Sequence, residues 1–341
     1  MNEFLQKLIK HDSIKPEFAT DNQIIQQGLA PLYLSPSSSI QLQKANLLEK
    51  AKLENWKTQA NLLFEKLNDQ NIQFLVFKGF AFTFLLYKET HLRPYSDIDI
   101  IINKPDYKKV NDILNKLNYQ QYPSRQGQFV SFQNSFYDNN TPQTVIDLHW
   151  QINNRIEFHK HFNFTDLYKS AFVLNNKELS FKTLHPVDGF ILGCFHYQAH
   201  RPSDRKHIWL YDLALMWKRM TPEEKESCLI KAKKTQQSNI VRSTLSLLNS
   251  SFVDCFQFDF KQPIKSNEAT QSYLNKRTSK ISDIKTRLQN INGSKNKMIF
   301  LSEYLFQSRD YVQKRYNIRS TILTMLYYPR MWVEDIFKLF K

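Results

Sequence analysis

The sequence predicts an α+β fold: a small mixed sheet with flanking helices over residues 71–183, an N-terminal helical segment over 1–70, and an all-helical C-terminal domain over 184–341. Three observations predict it. The apolar run Phe74-Leu75-Val76-Phe77 and the run around Ile98-Asp99-Ile100-Ile101-Ile102 read as strands, separated by a lysine-glycine turn and a short helix. Upstream, Ile40 to about Asn68 contains neither Gly nor Pro and repeats apolar residues at intervals near three and four. Downstream of Pro186 the helical period dominates to the C-terminus.

In chain order, residues 1–34 read as short helices and Ser35-Pro36-Ser37-Ser38-Ser39 as a turn or helix entry. The long helix that follows carries Leu42, Leu47, Leu48, Leu53, Trp56, Ala60, Leu63, Phe64 and Leu67 on its apolar stripe. After the first strand, Lys78-Gly79 turns the chain into a helix ending near Tyr87. The second strand follows, and Pro105 opens a helix to about Leu117 with Val110, Ile113 and Leu114 on one face. Phe129–Tyr137 and Thr144–Trp150 read as two strands joined by the turn-rich Asp138-Asn139-Asn140-Thr141-Pro142. Residues 153–181 give no firm element. Helices are then predicted at 187–200, 206–220, 223–234, 238–251, 267–290, 296–316 and 319–340. Thr221-Pro222-Glu223-Glu224 is a helix start with cap, proline and acids in their favoured places.

Composition narrows the function classes. With 341 residues, 41% hydrophobic and 14% aromatic, the chain can bury a sizeable core, and 6 Gly exclude long flexible linkers. Its formal charge of +15 attracts polyanions, which makes nucleic acid a candidate partner alongside nucleotides. Cys194, Cys228 and Cys255 are widely spaced and odd in number, with neither zinc spacing nor a disulfide framework. No apolar run of about 20 residues is present and the first residues lack a signal-peptide pattern, so the expected location is the cytoplasm.

The chemistry is predicted to lie on the second strand. Asp is disfavoured in strands, yet Asp97 and Asp99 project from one face while Ile98 and Ile100 take the other. Half-buried carboxylates side by side repel, and the usual remedies are a shared proton or a metal ion. The Lys78-Gly79 turn opens a helix, whose first amides suit a phosphate. Asp147, in Thr144-Val-Ile-Asp-Leu-His-Trp150, would face the other two if its strand lies beside theirs; otherwise it is a buried acid bonded to a neighbour such as His149.

The run FKGF, then LRPYSDIDIII, then VIDLHW resembles the nucleotidyltransferase superfamily shared by DNA polymerase beta, and in detail its branch of uncharacterised bacterial nucleotidyltransferases. The resemblance covers about residues 72–150. It implies a metal-dependent transfer of a nucleoside monophosphate from a triphosphate such as ATP to a hydroxyl, releasing pyrophosphate. Asp97, Asp99 and Asp147 would be the catalytic residues and hold two Mg2+ ions, with Mn2+ an alternative. Lys78, Gly79, Arg93 and Ser96 would contact the nucleotide. The superfamily usually carries Gly-Ser at the turn, whereas here Phe80 follows Gly79. That departure keeps open a second reading, a catalytically inactive module of the same fold that binds nucleotide or nucleic acid.

Other features have two readings each. Gly79 also fits tight strand-to-helix packing, Lys78 a solvated side chain, and Arg93 a surface salt bridge. His196 and His200, four apart on a helix, share a face and suit either a metal or a structural role. The basic stretch His200–His207 suits a triphosphate, an acidic acceptor or a solvated corner. Trp209, Tyr211, Leu213 and Trp217 are predicted as helical core. Residues 318–341 form a basic amphipathic segment, for which docking on the protein's own helices is the commoner fate and peripheral membrane contact the rarer.

Overall fold

The computed structural model describes residues 20–33, 38–125, 127–153, 155–159, 161–176, 179–252, 274 and 280–337. Apolar strands need cover on both faces, and the seven-stranded mixed sheet has it. The strands are β1 (Phe74–Phe77), β2 (Ile98–Ile102), β3 (Gln120–Gln121), β4 (Gln133–Tyr137), β5 (Val145–His149), β6 (Phe172–Asn175) and β7 (Ser180–Thr183), in the order β3-β4-β5-β2-β1-β7-β6. β2 runs antiparallel to β1 and parallel to β5.

Period-two alternation divides the side chains of β2 between two cores. Ile98, Ile100 and Ile102 join Trp56, Ala60, Leu63, Phe64 and Leu67 of the helix Ile40–Asp69, together with Val110, Ile113 and Leu114 of the helix Tyr107–Lys116. On the opposite face, Leu75, Phe77 and Ile101 pack with the helices Pro186–Ala199, His207–Arg219 and Ser238–Ser251. Asp99 stands on this second face, so the acids look towards the helical half.

Most predicted elements are present with their bounds moved by a few residues, and the differences have local causes. Leu47 and Leu48 are exposed, at 67% and 61%. They lie one and two positions round the helix from the buried Asn46, off the stripe that continues through Leu53. β4 begins at Gln133 rather than Phe129, because Glu303 takes the amides of Gln128 and Phe129 at 2.6 and 2.8 Å, removing them from the ladder. The span 296–316 is two helices, Ser294–Leu305 and Arg309–Tyr316, the second started by Ser308 accepting from the Tyr311 amide. The 153–181 stretch supplies two short helices and the β6–β7 edge hairpin. Trp209 is half-buried and lines a cavity, while Tyr211, Leu213 and Trp217 are core as predicted. The predictions for residues 1–19, for Ser35-Pro36-Ser37, for Cys255, for most of 267–279 and for 338–341 lie outside the described residues.

The C-terminal helix Thr321–Phe337 docks on the chain's own elements. Trp332 Nε1 donates to the Leu305 carbonyl at 2.6 Å, Tyr328 Oη donates to the Gln307 carbonyl at 2.6 Å, and Arg315 pairs with Glu334 and Asp335. No helix among the described residues is long and apolar enough to cross a membrane.

A half-buried histidine makes the fold acid-sensitive. His159 lies against Phe132, with its Nε2 2.8 Å from the Asn153 carbonyl, and burial pushes it down from 6.5 to about 4. The unfolded chain takes up this proton near pH 6.5, but the folded chain only near pH 4, so the stabilisation is present above 6.5 and lost as pH falls between the two. We expect His159→Gln to flatten the loss over that window by on the order of 2 kcal/mol, measured by denaturant titration at stepped pH.

Candidate active site

The site is built where β1 ends and β2 begins. The antiparallel register pairs Phe77 with Asp99, and the parallel register pairs Asp99 with Asp147. Residue 78, next after Phe77, therefore sits beside Asp99. Lys78 has φ +56, a left-handed backbone that costs a non-glycine residue about 1 kcal/mol. Its ammonium donates to Asp99 Oδ1 at 2.6 Å. His149 Nε2 meets the same oxygen at 2.9 Å. Asp147 accepts from Ser135 Oγ, its partner across β4, at 2.5 Å.

Burial sets the electrostatics. It pushes Asp97, Asp99 and Asp147 up from their ordinary range, reinforced at Asp97 and Asp147 by the Asp99 charge and opposed at Asp99 by Lys78. Burial works against the Lys78 charge too, but Asp99 outweighs it and holds the lysine above its usual value. Burial, then the Lys78 charge, lowers His149 to about 3, so the imidazole is neutral near pH 7.

Ligand atoms of Asp99, Asp147 and His149 all lie within 4.8 Å of one another. The donor set fits a divalent cation: two carboxylates suit Mg2+, and the imidazole brings Mn2+ within the range of preference. Asp97 stands just before β2, outside that group of three, and borders both cavities described below. His149 was read from the sequence as a neighbour of Asp147. The signal for its contact with Asp99 lies in its alternation with Asp147, which puts both on one face of β5.

The helix Lys78–Leu86 starts without a side-chain cap. Its first turn, with Gly79, borders a cavity of about 230 Å³ that also reaches Lys52, Arg93, Ser96, Lys206 and Trp209. Ser96 is exposed there. Arg93 is buried instead of being a surface pair: Nε and Nη2 bind Asp212, the latter at 2.7 Å, and Nη1 donates to the Pro94 carbonyl at 2.9 Å. Tyr87 Oη donates to Asp212 at 2.8 Å. A Cβ on Gly79 would meet Arg93 Nη1 at 2.5 Å, so close packing against the Asp212-bound guanidinium favours glycine here. His196 and His200 have ring centroids 4.9 Å apart, each 4.6 Å from that of Trp209, and burial holds His196 well below its ordinary range.

No curated protein matches this chain. Among solved structures it is similar to an antigenic nucleotidyltransferase-like protein from Paracoccidioides brasiliensis, with 18% identity and a TM-score of 0.34, over 57% of this chain and 93% of that one. A family model described as uncharacterised nucleotidyltransferase matches residues 23–252, which take in the whole sheet and the helices that cover its acidic face. The chain belongs to this family of uncharacterised nucleotidyltransferases.

Proposed function

We propose that the protein transfers a nucleoside monophosphate from a nucleoside triphosphate to a hydroxyl, in a reaction dependent on Mg2+. The observation that carries this reading is the register that sets Asp99 beside Asp147 and beside the turn that opens an uncapped helix. Asp97, Asp99 and Asp147 hold the ions, with His149 as an additional donor. When bound, the ions neutralise charge on the triphosphate oxygens.

The chain's own residues do the rest. The amides at Gly79 receive phosphate oxygens. Lys52 and Lys206 add positive charge along the same cavity, and Trp209 offers a flat face to a base. Lys78 keeps a strained backbone and an ammonium on Asp99, as expected of a residue retained for its side chain. Asp147 accepts the hydroxyl proton as the acceptor oxygen bonds to the α-phosphorus. The bond from that phosphorus to the bridging oxygen breaks, and pyrophosphate leaves with the electron pair. Arg93 acts on the turn through packing and holds it to Asp212 on the helical half.

A second reading, a non-catalytic nucleotide or nucleic-acid module, is favoured by one feature: Phe80 stands where a hydroxyl would otherwise help hold phosphate. It predicts oligonucleotide binding that is salt-sensitive and indifferent to the acids.

Two outcomes are expected. With α-labelled triphosphates and Mg2+, the wild-type protein transfers label and releases pyrophosphate. Asp97→Asn, Asp99→Asn and Asp147→Asn each lower the rate by at least about a hundredfold while the melting curve stays cooperative. Absence of metal-dependent triphosphate binding by calorimetry would remove the enzyme reading. Gly79→Ala is expected to displace Arg93, lowering stability by about 1–3 kcal/mol and weakening triphosphate binding; an unchanged melting curve would show that the turn is not tightly packed.

A further inference from the structure

Asp147 does not line the cavity at the Gly79 turn. It lines a second, larger cavity of about 590 Å³, within the range of sites that take small molecules. Lys78, Asp97 and His196 border both cavities, so the two meet at the acids. The carboxylate assigned to the acceptor hydroxyl thus faces a space separate from the one assigned to the triphosphate.

We propose that this second cavity binds the acceptor, and that the acceptor is a small hydroxyl compound bearing an anionic group, either a phosphate ester or a carboxylate. The inference rests on the nucleotidyl-transfer reading above and deepens it. Its chemistry is read from the elements that form the walls. The sheet contributes Asp147, which takes the hydroxyl. The loop after β5 contributes Arg155, and the exit of the helix Pro186–Ala199 contributes Arg201. Phe77, Ile152, Leu192 and Phe195, all buried, line the same space with apolar surface. Arg155 keeps a 3.7 Å contact with Glu157, and Arg201 is exposed.

Two guanidinium groups and the carboxylates of Asp97 and Asp147 on the walls of one cavity favour a ligand that carries both a hydroxyl and an anionic group. A planar guanidinium matches a carboxylate or phosphate in bidentate fashion, and a neutral polyol offers it no such partner.

The test is calorimetry on full-length protein preloaded with Mg2+ and a non-hydrolysable ATP analogue. Glycerol 3-phosphate, glycerate and glycerol are titrated separately, the first two separating phosphate from carboxylate. We expect at least one anion to bind ten times or more tightly than glycerol. The double variant Arg155→Gln with Arg201→Gln should weaken that anion tenfold or more and leave the ATP-analogue affinity within twofold, which also reports folding. Ala199→Trp, an exposed rim position, should block the anion without altering charge.

Equal binding of glycerol, no binding of any of the three, indifference to the arginine variant, or displacement of the ATP analogue by the anion would each overturn the proposal. If the ATP analogue itself does not bind, the nucleotidyl-transfer reading fails first, and the calorimeter shows that in the preloading step.

Discussion

A carboxylate taken out of water must be neutralised, and the architecture turns on how Asp99 is neutralised. At 2% exposure, the uncompensated charge would cost several kcal/mol. One oxygen of Asp99 takes both the Lys78 ammonium and the His149 ring nitrogen. Each contact depends on a strand register: Lys78 is placed by the β1–β2 pairing, and His149 by the β2–β5 pairing. A slip of one residue in either ladder would turn Asp99 into the apolar layer with Ile98 and Ile100, where nothing could compensate it. The ion pair therefore selects the sheet's register, and the sheet's two-sided cover makes the ion pair necessary.

A second buried pair fixes the other wall of the cleft. Arg93, two positions before Tyr95 on the approach to β2, reaches Asp212 on the helix His207–Arg219, while Thr83 bonds the carbonyls of both Gly79 and Arg93. Gly79 fits between these partners because it has no side chain. The turn is thus clamped on one side by Asp99 through Lys78, and on the other by Asp212 through Arg93. Losing one member of such a pair leaves the other charged and buried, which is far costlier than losing a surface bridge.

Much of this was legible in the sequence, for reasons that are local. The helix Ile40–Asp69 announces itself by period, the helix Pro222–Lys234 by the Thr221 and Glu224 capping box, and the acids by standing among isoleucines. The strand reading lets Asp147 face Asp97 and Asp99 only if its strand lies beside theirs; the parallel register sets it beside Asp99, with Asp97 outside the group of three. What stayed hidden depends on partners far along the chain. Asp212 is 119 residues from Arg93, so no local pattern could distinguish a buried pair from a surface one. Trp209 reads as core because its neighbours do, yet its position on the helix carries it to a cavity wall. The β6–β7 hairpin is short, and its residues acquire strand character by pairing β7 with β1, which leaves β6 as the sheet edge.

The proposed transfer is an in-line displacement in which the acceptor oxygen enters opposite the leaving pyrophosphate, so acceptor and triphosphate each need a space of their own. The sheet provides that separation. β1 leads into the turn bordering one cavity, and β5 carries the acid that lines the other, with the β2 acids between the two strands' ends. His196 borders both cavities, edge-on to Trp209 with ring centroids 4.6 Å apart, and burial holds it well below its ordinary range. Each cavity has cations of its own: Lys52 and Lys206, beside Glu49, on one side, and Arg155 and Arg201, from a loop and a helix exit, on the other. Loops tolerate change where strands do not. On the proposed reading, the acids and their register would serve the transfer itself, and Arg155 and Arg201 would select which hydroxyl compound enters it.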